Sequence, residues 1–307
     1  VTGPTAPPIA HGFLNIDKEA GETSTGVVRA VKRITGCRKV GHGGTLDPRA
    51  VGVLPICLGQ ATRFADAALL GTKAYTMTVR LGVATDTYDA AGETTVTCDA
   101  SSVTRSQVAA LLDRFRGPIQ QVPPMYSAIK QRGKRLYQLA REGIEVERAP
   151  RPVQVHSLEL VEWSPPDFVL DVECGRGFYA RSLAHDIGIA LDSAAHLAAL
   201  VRHRSGPFRL EDAATLGVLD EAASRGEWRS LLFPVDSALQ GLRAIVLDPL
   251  QAEQVRHGQL VSLGHLSSTP EDGEQARAYD RDGELVAIMA CSASGSLWRP
   301  VKVIATS

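Results

Sequence analysis

The stretch KVGHGGTLDPRAVGVLPICLGQATRF, Lys39 to Phe64, decides how this chain is read. It packs His42, a Gly43-Gly44 pair and Asp47 into six residues, closes the turn with Pro48, and runs on into an apolar segment. Gly41, Gly43 and Gly44 permit backbone conformations closed to other residues and let a ligand approach closely. Pro48 fixes its own φ and biases Asp47 away from helical geometry. A carboxylate held on such a loop serves as nucleophile, base or metal ligand. It equally serves as a cap or turn former, as Asx residues often do. Local chemistry leaves both readings standing.

Upstream, Ser24 to Gly36 reads as an amphipathic helix: Val27, Ala30, Val31 and Ile34 share one face, and Arg29, Lys32 and Arg33 the other. Ser24 or Thr25 is placed to cap its start and Gly36 to end it. Downstream, Tyr75, Met77, Val79 and Leu81 alternate with polar residues, the pattern of a half-buried strand. Thr104 to Gln107 forms a capping box opening a helix with Val108, Leu111, Leu112 and Phe115 on one face. Phe168 to Cys174 alternates as another strand, and Arg181 to Leu191 reads as a helix. Strands interleaved with helices, without a regular βαβ rhythm, predict an α/β or α+β fold with a mixed sheet. Near Phe233-Pro234-Val235-Asp236 the composition changes. Beyond it, Ala244 to Leu247, Leu285 to Ala290 and Trp298 to Ile304 read as short strands of a small β-rich domain.

The chain has 307 residues, 44% hydrophobic and 22% charged, enough for a full core and for one large domain plus a smaller one. No apolar run approaches a membrane span. VTGPTAPPIA lacks the basic and apolar regions of a secretory signal and reads as a flexible leader. Five scattered cysteines with no C-x-x-C pair argue for reduced thiols and a cytoplasmic setting. Net charge is −1, but the charges segregate. Arg29, Lys32, Arg33, Arg38, Lys39 and Arg49 surround the opening stretch. Lys130, Arg132, Lys134, Arg135 and Arg141 form a second basic cluster, and Arg202, His203 and Arg204 a third. Such patches are either solvated faces or an electrostatic footprint for nucleic acid.

The segment from Gly41 to Phe64 resembles the signature of the TruB-type tRNA pseudouridine synthases, which isomerise uridine 55 in the T loop. HGFLNIDKEAGETS, KAYTMTVRLGVATDTYDAAGE, PPMYSAIKQRGKRLYQLAREG, RPVQV, CGRGFYARSLAHDIG and HLAAL resemble further segments of that family, in its order. The resemblance implies the pseudouridine synthase fold, a mixed, mostly antiparallel sheet with flanking helices. It also implies a small PUA-like domain at the C-terminus. The expected organisation is a leader over 1–10, a catalytic domain over 11–236 and the PUA-like domain over 237–307. A mobile RNA-clamping segment is expected at about 124–151.

The resemblance further implies the site. Asp47 is the expected catalytic carboxylate, Arg181 its ion-pair partner and Tyr75 the ring that stacks on the extruded base. His42 matches the histidine that fills the vacated place in the RNA. Gly43 and Gly44 shape the loop, Lys18 supports it, and Asp86, Lys130 and Leu200 fall at positions lining the pocket. The Lys18 segment departs from the family pattern, with Glu19 in place of proline and Glu22 in place of an apolar residue. The reaction involves no redox change or net hydrolysis, so no cofactor and no metal is expected. The expected partner is the tRNA T stem-loop, with no membrane, and the chain acts as a monomer. Two rival readings are a noncatalytic RNA-binding protein on the same fold and a small-molecule hydrolase using Asp47. GHGGTLDP lacks the spacing and lysine of a phosphate-binding P-loop.

Overall fold

The computed structural model describes residues 10–66, 71–127, 129–131, 133–263, 270–292 and 297–304, and for Lys130 the backbone only. The expected leader lies outside the described residues except for Ala10, which packs in the core rather than in solvent. Arg132 of the second basic cluster and the Lys130 side chain also lie outside them.

The main sheet has ten strands. Its path runs Leu232–Phe233, Gly12–Lys18, Val51–Leu58, Ala195–Ser205, Lys73–Leu81, Asp167–Cys174, Arg151–Ser164 and Gly117–Gln121. Val40–His42 and Phe208–Arg209 attach beside this path. Its pairings are antiparallel except one, where Val201 and Arg202 run parallel to Val51 and Gly52. VGVLPICL is buried along nearly its whole length, as a central strand requires, and reads as an apolar run rather than an alternation. Lys73–Leu81, half-buried, keeps the alternation, with Met77, Val79 and Leu81 turned inward.

The helix Ser24–Thr35 lays Val27 and Val31, both fully buried, on this core. Each contributes roughly 1.5–2 kcal/mol of burial. Gly36 ends the helix in the left-handed conformation, as expected. The N-cap is Thr23, whose hydroxyl accepts from the Gly26 N–H, and neither Ser24 nor Thr25. Ser24 is instead buried, and its hydroxyl both donates to the Leu46 carbonyl and accepts from the Leu46 N–H. The residue that local pattern marks for capping thus holds the Asp47 loop. The capping box at Thr104 and Gln107 forms as its sequence suggests. Between residues 124 and 151 lie a short hairpin, Lys130–Gln131 with Lys134–Arg135, and the helix Leu136–Arg141, none of which shows periodicity in sequence.

A second sheet runs Arg243–Val246, Gln275–Tyr279, Leu285–Cys291, Leu297–Val303, Val261–Ser262, with its own core around Leu247, Val255, Met289 and Trp298. The two sheets share a third apolar cluster, in which Phe13, Val53, Cys57 and Phe64 meet Leu239 and Ile288.

Candidate active site

Asp47 sits on the loop between Val40–His42 and Val51–Leu58, and the loop is fastened from four sides. Gly43 N–H donates to the Pro55 carbonyl at 2.8 Å, and Ala50 N–H to the Asp47 carbonyl at 3.1 Å. Ser24 grips Leu46. Lys18, 1% exposed, donates its ammonium to the carbonyls of Glu19 and Pro48 at 2.8 and 3.1 Å. Arg202 donates to the carbonyls of Val53, Thr45 and Gly44, at 2.7, 3.4 and 3.4 Å. Of the three glycines marked in sequence, only Gly44 takes a positive φ, +127°. Gly52 also has positive φ, and a Cβ there would collide with the Arg202 carbonyl, so the parallel pairing itself demands glycine.

Arg181 comes from the helix Ala180–Ala190 and is 6% exposed. Its Nε lies 2.9 Å from Asp47 Oδ2, and its Nη2 donates to Asp47 Oδ1 at 3.1 Å, a two-point grip that fixes the carboxylate plane. The same guanidinium donates to the Thr87 carbonyl at 3.3 Å and the Tyr126 carbonyl at 2.9 Å, and lies 3.7 Å from Asp89 Oδ2. Burial pushes the Asp47 carboxyl above its ordinary value; Arg181 opposes the shift and the Asp89 carboxylate adds to it. The guanidinium therefore restrains the rise without reversing it.

Tyr75 stands on Lys73–Leu81, paired across the sheet with Val172 and Arg202. Its ring is partly buried, tilted 32° to Phe178 with centroids 6.3 Å apart. Burial raises the Tyr75 pKa, while the hydrogen-bonded Arg202 guanidinium pulls it down. His42 is half-buried, its pKa lowered by burial and by Arg202, and its Nδ1 is enclosed without a hydrogen-bond partner among the described residues. Leu200, 8% exposed, lies opposite Met77 in the core.

Asp86 does not join this cluster. It is exposed, with its carboxylate accepting from Glu93 N–H at 2.8 Å and from the Tyr126 hydroxyl at 3.4 Å. The second aspartate of TDTYD, Asp89, occupies the place beside the guanidinium. The third basic cluster also differs from its sequence reading. Arg202 is 2% exposed and bonded to main-chain oxygens, and Arg204 pairs with Glu173 at 2.8 Å. Only His203 of the three is exposed, because strand alternation turns Arg202 inward in phase with Leu200. That phase is the signal by which Arg202 is found in sequence; Asp89 has none beyond its spacing from Asp86.

The arrangement of this mixed sheet and its helices places the chain in the pseudouridine synthase fold. A chain in the H/ACA RNP bound to a substrate RNA containing 2′-deoxyuridine superposes with a TM-score of 0.74 at 27% identity, covering 96% of this chain and 85% of that one. A Cbf5-Nop10-Gar1 complex gives the same TM-score at 28% identity, covering 96% and 84%. Residues 32–180 match the N-terminal domain model of the TruB family of pseudouridylate synthases, and residues 181–240 a tRNA pseudouridylate synthase B C-terminal domain. The tRNA pseudouridine synthase B of Symbiobacterium thermophilum is 49% identical over 250 residues, 80% of this chain and 82% of that protein. Those of Dehalococcoides mccartyi and Burkholderia mallei are 40% and 43% identical over 95–96% of this chain and 96–97% of theirs. The chain belongs to the TruB family of pseudouridylate synthases.

Proposed function

We propose that this chain converts uridine 55 in the T loop of tRNA to pseudouridine, with Asp47 as the catalytic carboxylate. The observation that carries the reading is the two-point pairing of Asp47 with the buried Arg181. The names of the relatives supply the tRNA class. The reaction breaks the C1′–N1 bond, turns the uracil and rejoins it through C5. The C5 proton is lost and N1, freed of the ribose, gains one. Asp47 begins the reaction by attacking C6 or C1′, or by abstracting a ribose proton to leave a glycal. All three routes use the same carboxylate.

Arg181 orients the carboxylate and keeps a positive charge beside it at any working pH. Tyr75 stacks on the extruded base, and its hydroxyl assists removal of the C5 proton. His42 fills the place the base leaves, a step that offsets part of an unstacking cost of a few kcal/mol. Lys18, Gly43 and Gly44 support the loop, Leu200 walls the pocket, and Asp86 and Lys130 contact the RNA. The residues around Asp47 supply this chemistry without cofactor or metal, and the enzyme acts as a cytoplasmic monomer. Residues 124–151 clamp the T arm, and residues 237–307 form a PUA-like accessory domain.

The test is incubation of unmodified tRNA transcript with the purified chain, followed by mapping of pseudouridine by carbodiimide adducts. Modification at position 55 is expected. Asp47→Asn is expected to lower turnover by about a thousandfold or more while binding tRNA as tightly as the parent. Pseudouridine at other positions only, or an active Asp47→Asn, overturns the reading.

A further inference from the structure

Four groups hold the Arg181 guanidinium, and two of them, the Thr87 carbonyl and the Asp89 carboxylate, flank a single residue, Tyr88. Tyr88 has φ +62°, in the left-handed region that large side chains seldom enter. Such a conformation persists only where its surroundings over-determine it. Its effect here is to fold the chain back, so that the carbonyl before it and the carboxylate after it reach one guanidinium.

Hydrogen bonds and a ring stack fix Tyr88, whose N–H donates to the Thr85 carbonyl at 3.2 Å. On the backbone, Leu197 N–H donates to the Tyr88 carbonyl and Ala90 N–H to the Leu197 carbonyl, both at 3.0 Å. On the side chain, the phenol ring lies flat on the imidazole of His185, with centroids 3.9 Å apart and planes within 8°. His185 is on the same helix as Arg181, four residues on, so one helical turn separates the ring from the guanidinium. Burial and the nearby Arg148 depress the His185 pKa, which favours a neutral ring that stacks without a desolvation penalty.

We propose that Tyr88 and His185 are positioning residues for the reaction: their stack locks the Thr87–Asp89 turn to the helix of Arg181 and so holds the guanidinium side-on to Asp47. The proposal rests on the assignment of Asp47 and Arg181 as the catalytic pair. Neither ring touches the reacting carboxylate. Without the stack only hydrogen bonds hold the left-handed tyrosine, so the Thr87 carbonyl and the Asp89 carboxylate hold the guanidinium less firmly and the plane of Asp47 is less closely fixed. A displacement of that kind is felt in the chemical step and not in the binding of the tRNA.

The experiment uses the full chain with Tyr88→Ala, Tyr88→Phe, His185→Ala, His185→Phe and the double alanine variant. Each is measured for kcat and KM on T-arm tRNA, for Tm, and for the ¹⁵N–¹H signal of Arg181 Nε. The alanine variants are expected to lose about tenfold in kcat with KM within about twofold of the parent. Phenylalanine at either position is expected to restore kcat, since a flat ring suffices, and the double variant to fall no further than either single one. The Arg181 Nε signal is expected to shift in the alanine variants and return in the phenylalanine ones. His185→Ala leaves the sequence of the turn intact and keeps the test readable should Tyr88→Ala fail to fold. Parental kcat in both alanine variants, a loss phenylalanine does not restore, or additive losses overturn the proposal. A wild-type chain without turnover overturns the functional reading instead, and the Nε signal then judges the stack by itself.

Discussion

Two buried guanidiniums hold the Asp47 loop, Arg181 from a helix and Arg202 from a central strand, and they are used in opposite ways. Arg181 faces carboxylates, Asp47 at 2.9 Å and Asp89 at 3.7 Å, and adds two main-chain carbonyls. Arg202 gives its hydrogen bonds to the carbonyls of Gly44, Thr45 and Val53 and to Tyr75. The charge of the first is largely cancelled where it lies. That of the second stays uncancelled by these bonds and spreads: it helps lower the pKa of Lys18, His42 and Lys73, and opposes the rise at Tyr75. One arginine sets the geometry of Asp47. The other pins the loop that carries Asp47.

This division breaks most sharply at Arg181→Lys. An ammonium keeps the charge but not the fork, so turnover on tRNA is expected to fall by about a hundredfold or more with affinity nearly unchanged. Parental kcat in that variant contradicts the two-point grip. Arg202→Met should act on the fold first, because three main-chain oxygens lose their donor; about 3 kcal/mol of unfolding free energy is expected to go, read by urea titration. A variant as stable as the parent shows that the loop does not depend on Arg202.

Asp186 is a half-buried carboxyl with its pKa raised to about 6 by burial alone. The folded chain holds that proton more tightly than the unfolded one, so its contribution favours folding below about pH 4 and disappears as pH rises through about 6. Asp186→Asn is expected to gain about 1–2 kcal/mol at pH 8 and nothing near pH 4, measured by denaturant unfolding at both. At Asp89 the expected effect is read in the pH profile. Its negative charge lifts the Asp47 pKa, so Asp89→Asn should move the acid limb of the kcat/KM profile to lower pH. A limb that stays put removes Asp89 from the electrostatics of the reaction.

Much of this architecture is legible in the amino-acid sequence. Local periodicity is enough for the helix at Ser24–Thr35 and the strands at Lys73–Leu81 and Asp167–Cys174, because each buries one face with its own period. Family resemblance connects Asp47 and Arg181, which lie 134 residues apart and which no local rule joins. What stays hidden lies in close contacts with main-chain atoms of other segments. Ser24 looks like a cap and is a clamp on Leu46. Arg202 sits in an Arg-His-Arg triplet that looks solvated, yet its partners lie 149 to 158 residues away. Gly52 sits in an apolar run, and the carbonyl that forbids a side chain there belongs to Arg202.

The opening stretch ends in the short helical turn Gly59–Phe64, and that turn is stitched to the far end of the chain. Arg63 donates to the Val303 carbonyl at 2.6 Å, Lys302 donates back to the Arg63 carbonyl at 2.5 Å, and the Lys302 ammonium lies over the Phe64 ring. The strand Leu297–Val303 is therefore a buttress to the segment that carries Asp47, not a loosely tethered appendage. Trimming it strips cover from Phe64 and its apolar neighbours, so a shortened chain is expected to clump before it can report anything about how nucleic acid is held.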